Sequence, residues 1–354
     1  ERFFMNINTA IFKAYDIRGE YPQDLNQEMA YSVGKAYATL MKRENPGQNL
    51  EIVVSRDMRP SSPELKQGLI KGLTETGVDV IDVGMQTTPT FYFAVAYYGY
   101  DGGIQITASH NPSEYNGLKM VKAQARPLGA GTGMEELTQM VVDQDFATSD
   151  QIGKVVTKEG VLADEVQQVL KEVDQGQIKP FKVVVDAGNA VGALDMKALF
   201  AELPCEVIPL YFELDGTFPN HHPDPLKPEN LEDLKQKVKD EQADLGIALD
   251  GDGDRMFFID EKGEEVPQSI LRGLMAQIEL ADNPGATVCY DIRPGRVTQD
   301  MIDEAGGKAV ITPVGHSIIK AKMKESGAIF GGESSGHYFY QFEYGSFDAP
   351  MTLL

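Results

Sequence analysis

The sequence predicts an α/β protein of three successive domains, with mixed, mostly parallel sheets that are flanked by helices. Short apolar segments typical of strands alternate with amphipathic helical segments along most of the 354 residues. A chain of this length exceeds what one ordinary core organises, which indicates two or three domains. Strands that alternate with helices favour parallel pairing, because a helix can return the chain to the start of the next strand.

The first domain is expected over residues 1–150. A strand is predicted at 51–55, and the next helix begins at Pro63 with its apolar side chains on one face. Two further strands are predicted at 78–83 and 102–107, with a helix between them at 90–98.

A polar stretch at 143–153 without apolar periodicity separates this domain from the next. The second domain is expected over 151–255, with a helix at 159–175, strands at 181–186, 206–208 (ended by Pro209) and 245–249, and a helix at 231–240. The third is expected over 256–354, with helices at 270–278 and 317–324 and strands at 287–290, 310–311 and 328–330.

The composition excludes several classes of partner. Acidic residues outnumber basic ones by 54 to 32, and a net charge of −22 repels nucleic acid. No apolar run is long enough to span a membrane and no signal peptide is visible, so a cytoplasmic location is expected. Cys205 and Cys289 lack metal-ligand spacing and are expected to be buried free thiols.

The segment Thr107-Ala108-Ser109-His110-Asn111-Pro112 places a hydroxyl, an imidazole and an amide where a strand gives way to a loop. Strand ends are the usual place for chemistry in an α/β protein. Asn116-Gly117 predicts a turn that would bring Lys119 back towards Ser109. A serine beside a base suits covalent catalysis. The same residues also suit a loop whose hydrogen bonds only stabilise a turn.

Asp250, Asp252 and Asp254 alternate with glycines and precede Arg255. Neighbouring carboxylates repel one another unless a cation neutralises them. The pattern predicts a Mg²⁺ site, because Mg²⁺ takes few carboxylates and keeps positions open for phosphate oxygens. A solvated acidic turn and a phosphatase with an aspartate nucleophile are alternatives. An EF-hand fits poorly, because Arg255 stands where that loop needs glycine and the flanking segments predict strands.

The segment Gly331-Gly332-Glu333-Ser334-Ser335-Gly336-His337 follows the strand at 328–330. A carboxylate, two hydroxyls and an imidazole on a glycine-rich loop suit the hydroxyl groups of a sugar. An ordinary flexible turn is the alternative.

Together these loops resemble the α-D-phosphohexomutases, the phosphomannomutase/phosphoglucomutase family. The motifs that carry the resemblance stand in the family's order: 13–19 (Lys-Ala-Tyr-Asp-Ile-Arg-Gly), 107–112, 218–225 (Phe-Pro-Asn-His-His-Pro-Asp-Pro), 250–255, 315–317 (Gly-His-Ser) and 332–337. The resemblance spans nearly the whole chain and implies domains arranged around a central cleft. His337 after Glu-Ser-Ser-Gly favours the phosphomannomutase/phosphoglucomutase branch over phosphoglucosamine mutases.

The resemblance implies a role for each matching residue. Ser109 would carry the phosphoryl group and, with Asp250, Asp252 and Asp254, would contact Mg²⁺. The groups expected around the transferred phosphoryl group are Arg18, Lys119 and His110, with Lys119 as a general acid or base if its pKa is lowered. The residues expected to bind or shape the site for the sugar phosphate are Glu333, Ser335, His337, His316, Arg293, Tyr15 and Asn111.

The implied activity interconverts hexose 1-phosphate and 6-phosphate, of mannose or glucose, through a hexose 1,6-bisphosphate. A phosphoglucosamine mutase, a metal-dependent phosphatase and a non-catalytic sugar-phosphate binder remain alternatives. Family members usually carry a fourth domain that grips the non-reacting phosphate. It is expected to be absent from this chain, which ends at Leu354, and mutase activity is expected to be weak. A monomer or weak homodimer is expected.

Overall fold

The computed structural model describes residues 7–173, 175–293 and 295–354, and these residues form three sheets that pack against helices. In each sheet, parallel strands extend to one edge and antiparallel strands are added on the other side. The fold class that the sequence predicts is therefore confirmed. Within the described residues, no helix combines the length and the apolarity needed to cross a membrane.

The first unit has the strand order β1-β5-β4-β2-β3-β7, with β6 paired to β5. Its elements are β1 (Ile17–Glu20), α1 (Gln27–Glu44), β2 (Glu51–Arg56), α2 (Ser62–Glu75), β3 (Asp79–Met85), α3 (Thr88–Tyr97), β4 (Gly102–Ile106), β5 (Tyr115–Lys122), β6 (Arg126–Pro127), α4 (Met134–Asp143) and β7 (Val155–Thr157).

The second unit has the strand order β11-β10-β8-β9 and the third the order β13-β12-β14-β15-β16. The second contains α5 (Val161–Glu172), β8 (Lys182–Asp186), α6 (Gly192–Phe200), β9 (Glu206–Leu210), α7 (Glu232–Glu241), β10 (Leu245–Leu249) and β11 (Met256–Ile259). The third contains α8 (Gln268–Asp282), β12 (Thr287–Asp291), α9 (Val297–Glu304), β13 (Lys308–Thr312), α10 (His316–Ser326), β14 (Phe330–Gly332), β15 (Tyr338–Phe342), β16 (Gly345–Asp348) and α11 (Pro350–Leu353).

Three details differ from the sequence prediction. β7 belongs to the first sheet, so that sheet extends beyond residue 150. β11 pairs with β10, so the second unit extends beyond residue 255. A domain boundary at that residue would separate two strands that are hydrogen-bonded to each other. Pro209 does not end its strand, because β9 is an edge strand and tolerates a missing backbone N–H.

Helices α1 and α2 touch through glycines. A Cβ added at Gly68 would lie 2.2 Å from the carbonyl oxygen of Gln27, and one added at Gly72 would lie 2.2 Å from that of Tyr31. Alanine at either position would therefore force the helices apart. The close packing holds α2 against the sheet, and the loop before α2 supplies part of the site described below.

The three units share apolar cores. One buried cluster joins Val185 of the second sheet to Tyr290 and Phe330 of the third. The first and third units meet at Phe93 of α3, whose ring contacts Tyr344 at a centroid distance of 6.1 Å. Side chains at the ends of strands in different units can therefore converge on one site.

Two buried carboxyl groups lie where the first and second units meet. Asp195 of α6 accepts a hydrogen bond from the Thr87 hydroxyl at 2.6 Å, and burial raises the pKa of Asp195 to about 7. Glu165 of α5 is 4% exposed, and burial together with the charge of Asp195 raises the Glu165 pKa well above its usual value. These raised pKa values indicate that the pair retains a proton near neutral pH.

The Glu165→Gln variant is expected to tolerate alkaline pH better than the wild type. A raised folded-state pKa contributes stability that is present at pH 4 and is lost as pH rises through that pKa. Glutamine removes one of the two charges, so the variant should gain about 1–3 kcal/mol in unfolding free energy over wild type between pH 5 and pH 9. Urea denaturation at several pH values measures this gain.

The matched control is Glu172→Gln, an exposed position on the same helix. This control should follow the wild-type curve at every pH. Parallel pH profiles for Glu165→Gln and wild type would contradict the expectation.

Candidate active site

Ser109 lies at the end of β4 in a strained backbone conformation. Its φ of 49° is in the left-handed region, which a non-glycine residue keeps only when its surroundings hold it there. The Ser109 hydroxyl donates a hydrogen bond of 2.6 Å to Asp250 Oδ2, and lies 3.1 Å from Nδ1 of His110. The conformation thus aims the hydroxyl at the acidic loop of the second unit.

Arg59, to which no motif in the sequence pointed, holds the Ser109 loop in place. This fully buried guanidinium forms an ion pair with Asp57 at 3.2 Å. Its two terminal nitrogens donate to four loop carbonyl oxygens, those of Ser109, Asn111, Pro112 and Tyr115, over 2.6–3.0 Å. The signal in the sequence is the charged segment Arg56-Asp57-Met58-Arg59, which directly follows the strand at 51–55.

Arg18 holds the same loop from β1. Its guanidinium donates to the Ala108 carbonyl oxygen at 3.1 Å and to the Asn111 side-chain oxygen at 2.6 Å, and pairs with Asp16. Because Arg18 remains partly accessible, it can also meet an anion beside Ser109.

The three aspartates of the acidic loop form one buried cluster. One carboxylate oxygen from each of Asp250, Asp252 and Asp254 lies within 4.8 Å of the others. Gly251 permits this loop to approach the serine, since an added Cβ would lie only 2.2 Å from the Ser109 carbonyl oxygen. β10 and β11 flank the loop, as the strand prediction required.

The charges of this cluster fit a divalent cation. Burial, with the neighbouring charges of Asp254 and Asp252, raises the pKa of Asp250 to about 8. Within the described residues, Asp252 Oδ1 and Asp254 Oδ1 are buried and have no hydrogen-bond partner. Buried carboxylate oxygens without donors are costly unless a cation satisfies them. The donor set of three carboxylates suits a hard cation.

Lys119 lies against the same cluster, but not for the reason that the sequence suggested. Asn116-Gly117 makes no turn, because both residues lie inside β5, which runs antiparallel to β4. This pairing carries Lys119 Nζ to 2.7 Å from Asp252 and 2.6 Å from Asp254. Burial opposes the charge, yet the two carboxylates raise the Lys119 pKa well above its usual value. A lowered pKa, the condition for Lys119 to act as a general acid or base, is therefore not met in this arrangement.

The imidazole beside Ser109 is neutral. Burial, reinforced by the charges of Arg255 and Arg18, lowers the pKa of His110 to about 2. A neutral ring can accept or donate one hydrogen bond at Nδ1, so His110 can orient the Ser109 hydroxyl without adding charge.

His337 connects the glycine-rich loop of the third unit to the acidic loop. Its Nδ1 donates to Asp348 at 2.7 Å and lies 3.7 Å from Asp254 Oδ1, and its Nε2 accepts from Arg255 at 3.2 Å. The ring of His316 stacks on His337 with centroids 5.6 Å apart.

Glu333, Ser335 and Arg293 form a second group. Arg293 Nη2 lies 3.7 Å from Glu333 Oε1. The Ser335 hydroxyl is buried and has no hydrogen-bond partner among the described residues, so it is free to bind an added group. The loop is supported by the buried ion pair of Arg272 with Asp291, and an added Cβ at Gly332 would lie 2.7 Å from the Arg272 side chain.

The first and third units also meet through an aromatic contact. The ring of Tyr15 packs edge-on against His316 with centroids 5.5 Å apart.

The structure therefore gathers the predicted residues in two groups that His337 joins. The first contains Ser109, His110, Asn111, Arg18, Lys119 and the three aspartates, and the second contains Glu333, Ser335 and Arg293, while Tyr15 and His316 bridge the first and third units.

The strained serine, the buried carboxylate cluster and the polar loop thus stand on three α/β units that contact one another. Residues 9–148, 162–263 and 269–354 match alpha/beta/alpha domains I, II and III of phosphoglucomutase/phosphomannomutase. The chain belongs to the phosphoglucomutase/phosphomannomutase family.

Individual relatives give the same result. The chain is 38% identical to a phosphomannomutase of Vibrio cholerae over 345 residues, 96% of this chain and 74% of that protein. It is 42% identical to a phosphomannomutase/phosphoglucomutase of Pseudomonas aeruginosa over 342 residues, 96% of this chain and 71% of that protein. A crystal structure of a family protein from Burkholderia thailandensis superposes with a TM-score of 0.90 at 38% identity, covering 98% of this chain and 75% of that one.

Proposed function

We propose that this chain interconverts hexose 1-phosphate and hexose 6-phosphate, of mannose, glucose or both, through a phosphoserine at Ser109 and a hexose 1,6-bisphosphate. The observation that carries the proposal is the Ser109 hydroxyl, on a backbone with φ 49° and 2.6 Å from Asp250 of the carboxylate cluster. Two buried oxygens of that cluster have no hydrogen-bond partner among the described residues. The enzymes named as phosphomannomutase or phosphoglucomutase among the relatives support the substrate class.

The forward step is a phosphoryl transfer between two oxygens. The bond from phosphorus to Ser109 Oγ breaks with its electron pair left on Oγ, and a bond from phosphorus to the oxygen of the free sugar hydroxyl forms. The proton of that hydroxyl ends on Ser109 Oγ, which restores the serine hydroxyl. In the return step the other phosphate of the bisphosphate is transferred to Ser109, which leaves the isomeric monophosphate. Because such reactions depend on position and electrostatics, the loop held by Arg59 and Arg18 sets the line of attack.

Positive groups offset the charge of the transferred phosphoryl group. Lys119, which the two carboxylates keep protonated, donates hydrogen bonds to the phosphoryl oxygens, and Arg18 contributes from the other side. We assign the cation of the acidic loop as Mg²⁺, held by Asp250, Asp252 and Asp254; when bound, it supplies Lewis-acid stabilisation of phosphoryl charge.

The second group of residues binds the sugar. Glu333 and Ser335 form hydrogen bonds with the 3- and 4-hydroxyls. The buried Ser335 hydroxyl supports this, since it has no partner in the part of the chain that the structure describes. The neighbouring substrate contacts that we propose come from Arg293, His316, His337, Tyr15 and Asn111. We further propose a cytoplasmic enzyme that is a monomer or weak homodimer, with domains that correspond to the three sheets.

Intact-mass analysis tests the proposal. After incubation with glucose 1,6-bisphosphate and Mg²⁺, wild-type protein should gain the mass of one phosphoryl group, and Ser109→Ala should gain none. Ser113→Ala, a change in the same loop, is the matched control and should label as wild type does.

Three results would overturn the proposal. Labelling that survives Ser109→Ala but disappears in Asp250→Asn would indicate an aspartate nucleophile, and binding of the bisphosphate without labelling would indicate a sugar-phosphate binder. Discharge of the labelled protein by glucosamine 6-phosphate, but not by mannose or glucose 6-phosphate, would assign the phosphoglucosamine mutase reaction instead.

A further inference from the structure

The three aspartates of the acidic loop differ in what holds them. Asp250 Oδ2 accepts from Ser109, and its Oδ1 accepts from the backbone N–H groups of Asp254 and Arg255. Asp254 Oδ2 contacts Lys119 at 2.6 Å. Each aspartate therefore has at least one oxygen fixed by the protein.

Asp252 is held by a residue of the first unit that neither the motif nor the resemblance pointed to. The Thr88 hydroxyl donates to Asp252 Oδ2 at 2.6 Å, and the Thr88 backbone N–H donates to the Asp252 carbonyl oxygen at 2.9 Å. Asp252 Oδ2 also lies 2.7 Å from Lys119. The remaining oxygen, Oδ1, is buried and has no hydrogen-bond partner among the residues that the structure describes.

The position of Thr88 is itself fixed. Thr88 is the first residue of α3, and Thr87 caps the helix by accepting from the Thr90 backbone N–H. The Thr87 hydroxyl donates to Asp195, so the start of α3 is attached to the second unit at α6 as well as at the acidic loop. A threonine placed in this way has little freedom to follow a reoriented Asp252.

We propose that Thr88 is a positioning residue that fixes the rotamer of Asp252, so that Oδ1 is the oxygen offered to the cation. The inference rests on the cation site of the proposed function. Lys119 cannot do this alone, since its ammonium is shared between two carboxylates. Groups that orient metal ligands through a hydrogen bond typically change metal affinity by 10–100-fold.

The test uses metal ions alone as the probe. Mn²⁺ binding by electron paramagnetic resonance and Mg²⁺ binding by calorimetry should show a Kd about tenfold higher in Thr88→Val than in wild type. Thr88→Ser keeps the hydroxyl and should bind within about twofold of wild type. Thr74→Val is the control, because it removes a buried threonine hydroxyl of α2 whose hydrogen bonds go to its own helix.

A second readout separates positioning from general damage. The rate of Ser109 phosphorylation in Thr88→Val should return close to the wild-type value at saturating Mg²⁺, with the half-saturating Mg²⁺ concentration raised about tenfold. A uniformly lower rate that Mg²⁺ does not restore would overturn the inference, as would unchanged Mn²⁺ affinity in folded Thr88→Val. If wild type binds no metal, the cation site and this inference both fail. If wild type binds metal but Ser109 takes no phosphoryl group, only the proposed function fails.

Discussion

Replacement of Lys119 by methionine is expected to slow phosphorylation of Ser109 by about 10²–10³-fold. The buried ammonium group of Lys119 lies between Asp252 and Asp254. Methionine fills similar space but supplies neither charge nor hydrogen bonds to a phosphoryl group. The initial rate of labelling by glucose 1,6-bisphosphate, followed by intact mass at saturating Mg²⁺, measures the change.

The same replacement three residues along the strand provides the control. Lys122 pairs with Glu44 at the end of β5, away from the acidic cluster, so Lys122→Met should label at the wild-type rate. The melting temperature of Lys119→Met should rise more with added Mg²⁺ than that of wild type, because its carboxylates have lost their internal counterion. A labelling rate within about threefold of wild type would show that the Lys119 charge is not used in transfer.

Replacement of Arg59 by methionine is expected to cost about 3–5 kcal/mol of unfolding free energy. The change leaves the buried carboxylate of Asp57 without its ion-pair partner, and removes the four hydrogen bonds that Arg59 donates to carbonyl oxygens around Ser109. Arg59→Lys should not rescue the loop, since one ammonium cannot reproduce the planar set of donors. Urea denaturation at neutral pH measures the loss.

Two further variants identify the cause. Arg56→Met changes a half-buried arginine at the end of β2. Among the described residues, the Arg56 side chain donates only to the Asp57 carbonyl oxygen, at 2.8 Å, so the change should cost less than about 1 kcal/mol. Adding Asp57→Asn to Arg59→Met should recover part of the lost stability, because it removes the unpaired buried charge. Equal stability of Arg59→Met and Arg56→Met would contradict this account.

The elements with the clearest apolar pattern were the ones that sequence reasoning found. The strands expected at 51–55, 102–107, 181–186 and 245–249 are all present, and each precedes a loop. α1 was not singled out, although Asn26 accepts from the Met29 backbone N–H at its start, as a helix cap does. The small apolar residues of that helix give a weaker pattern than the strands.

The positions of the chemical groups could also be predicted at the level of loops. Ser109, the three aspartates and Glu333 stand directly after strands, and the family motifs list them in order. How the loops meet could not be predicted. The Asn116-Gly117 pair signals a turn in isolation, but in the fold Gly117 packs against the carbonyl oxygens of Ile17 and Thr107 inside a central strand.

The sequence by itself determined the fold class, the three loops and the residue types that perform the chemistry, because these depend on local periodicity and on ordered motifs. Only the tertiary structure decided that Arg59 holds the serine loop, that Thr88 holds Asp252 and that Lys119 stays protonated. Each of these facts depends on a contact between residues that are 50 to 164 positions apart in the chain. Burial and charge at such contacts arise only when the strands of different units pack together.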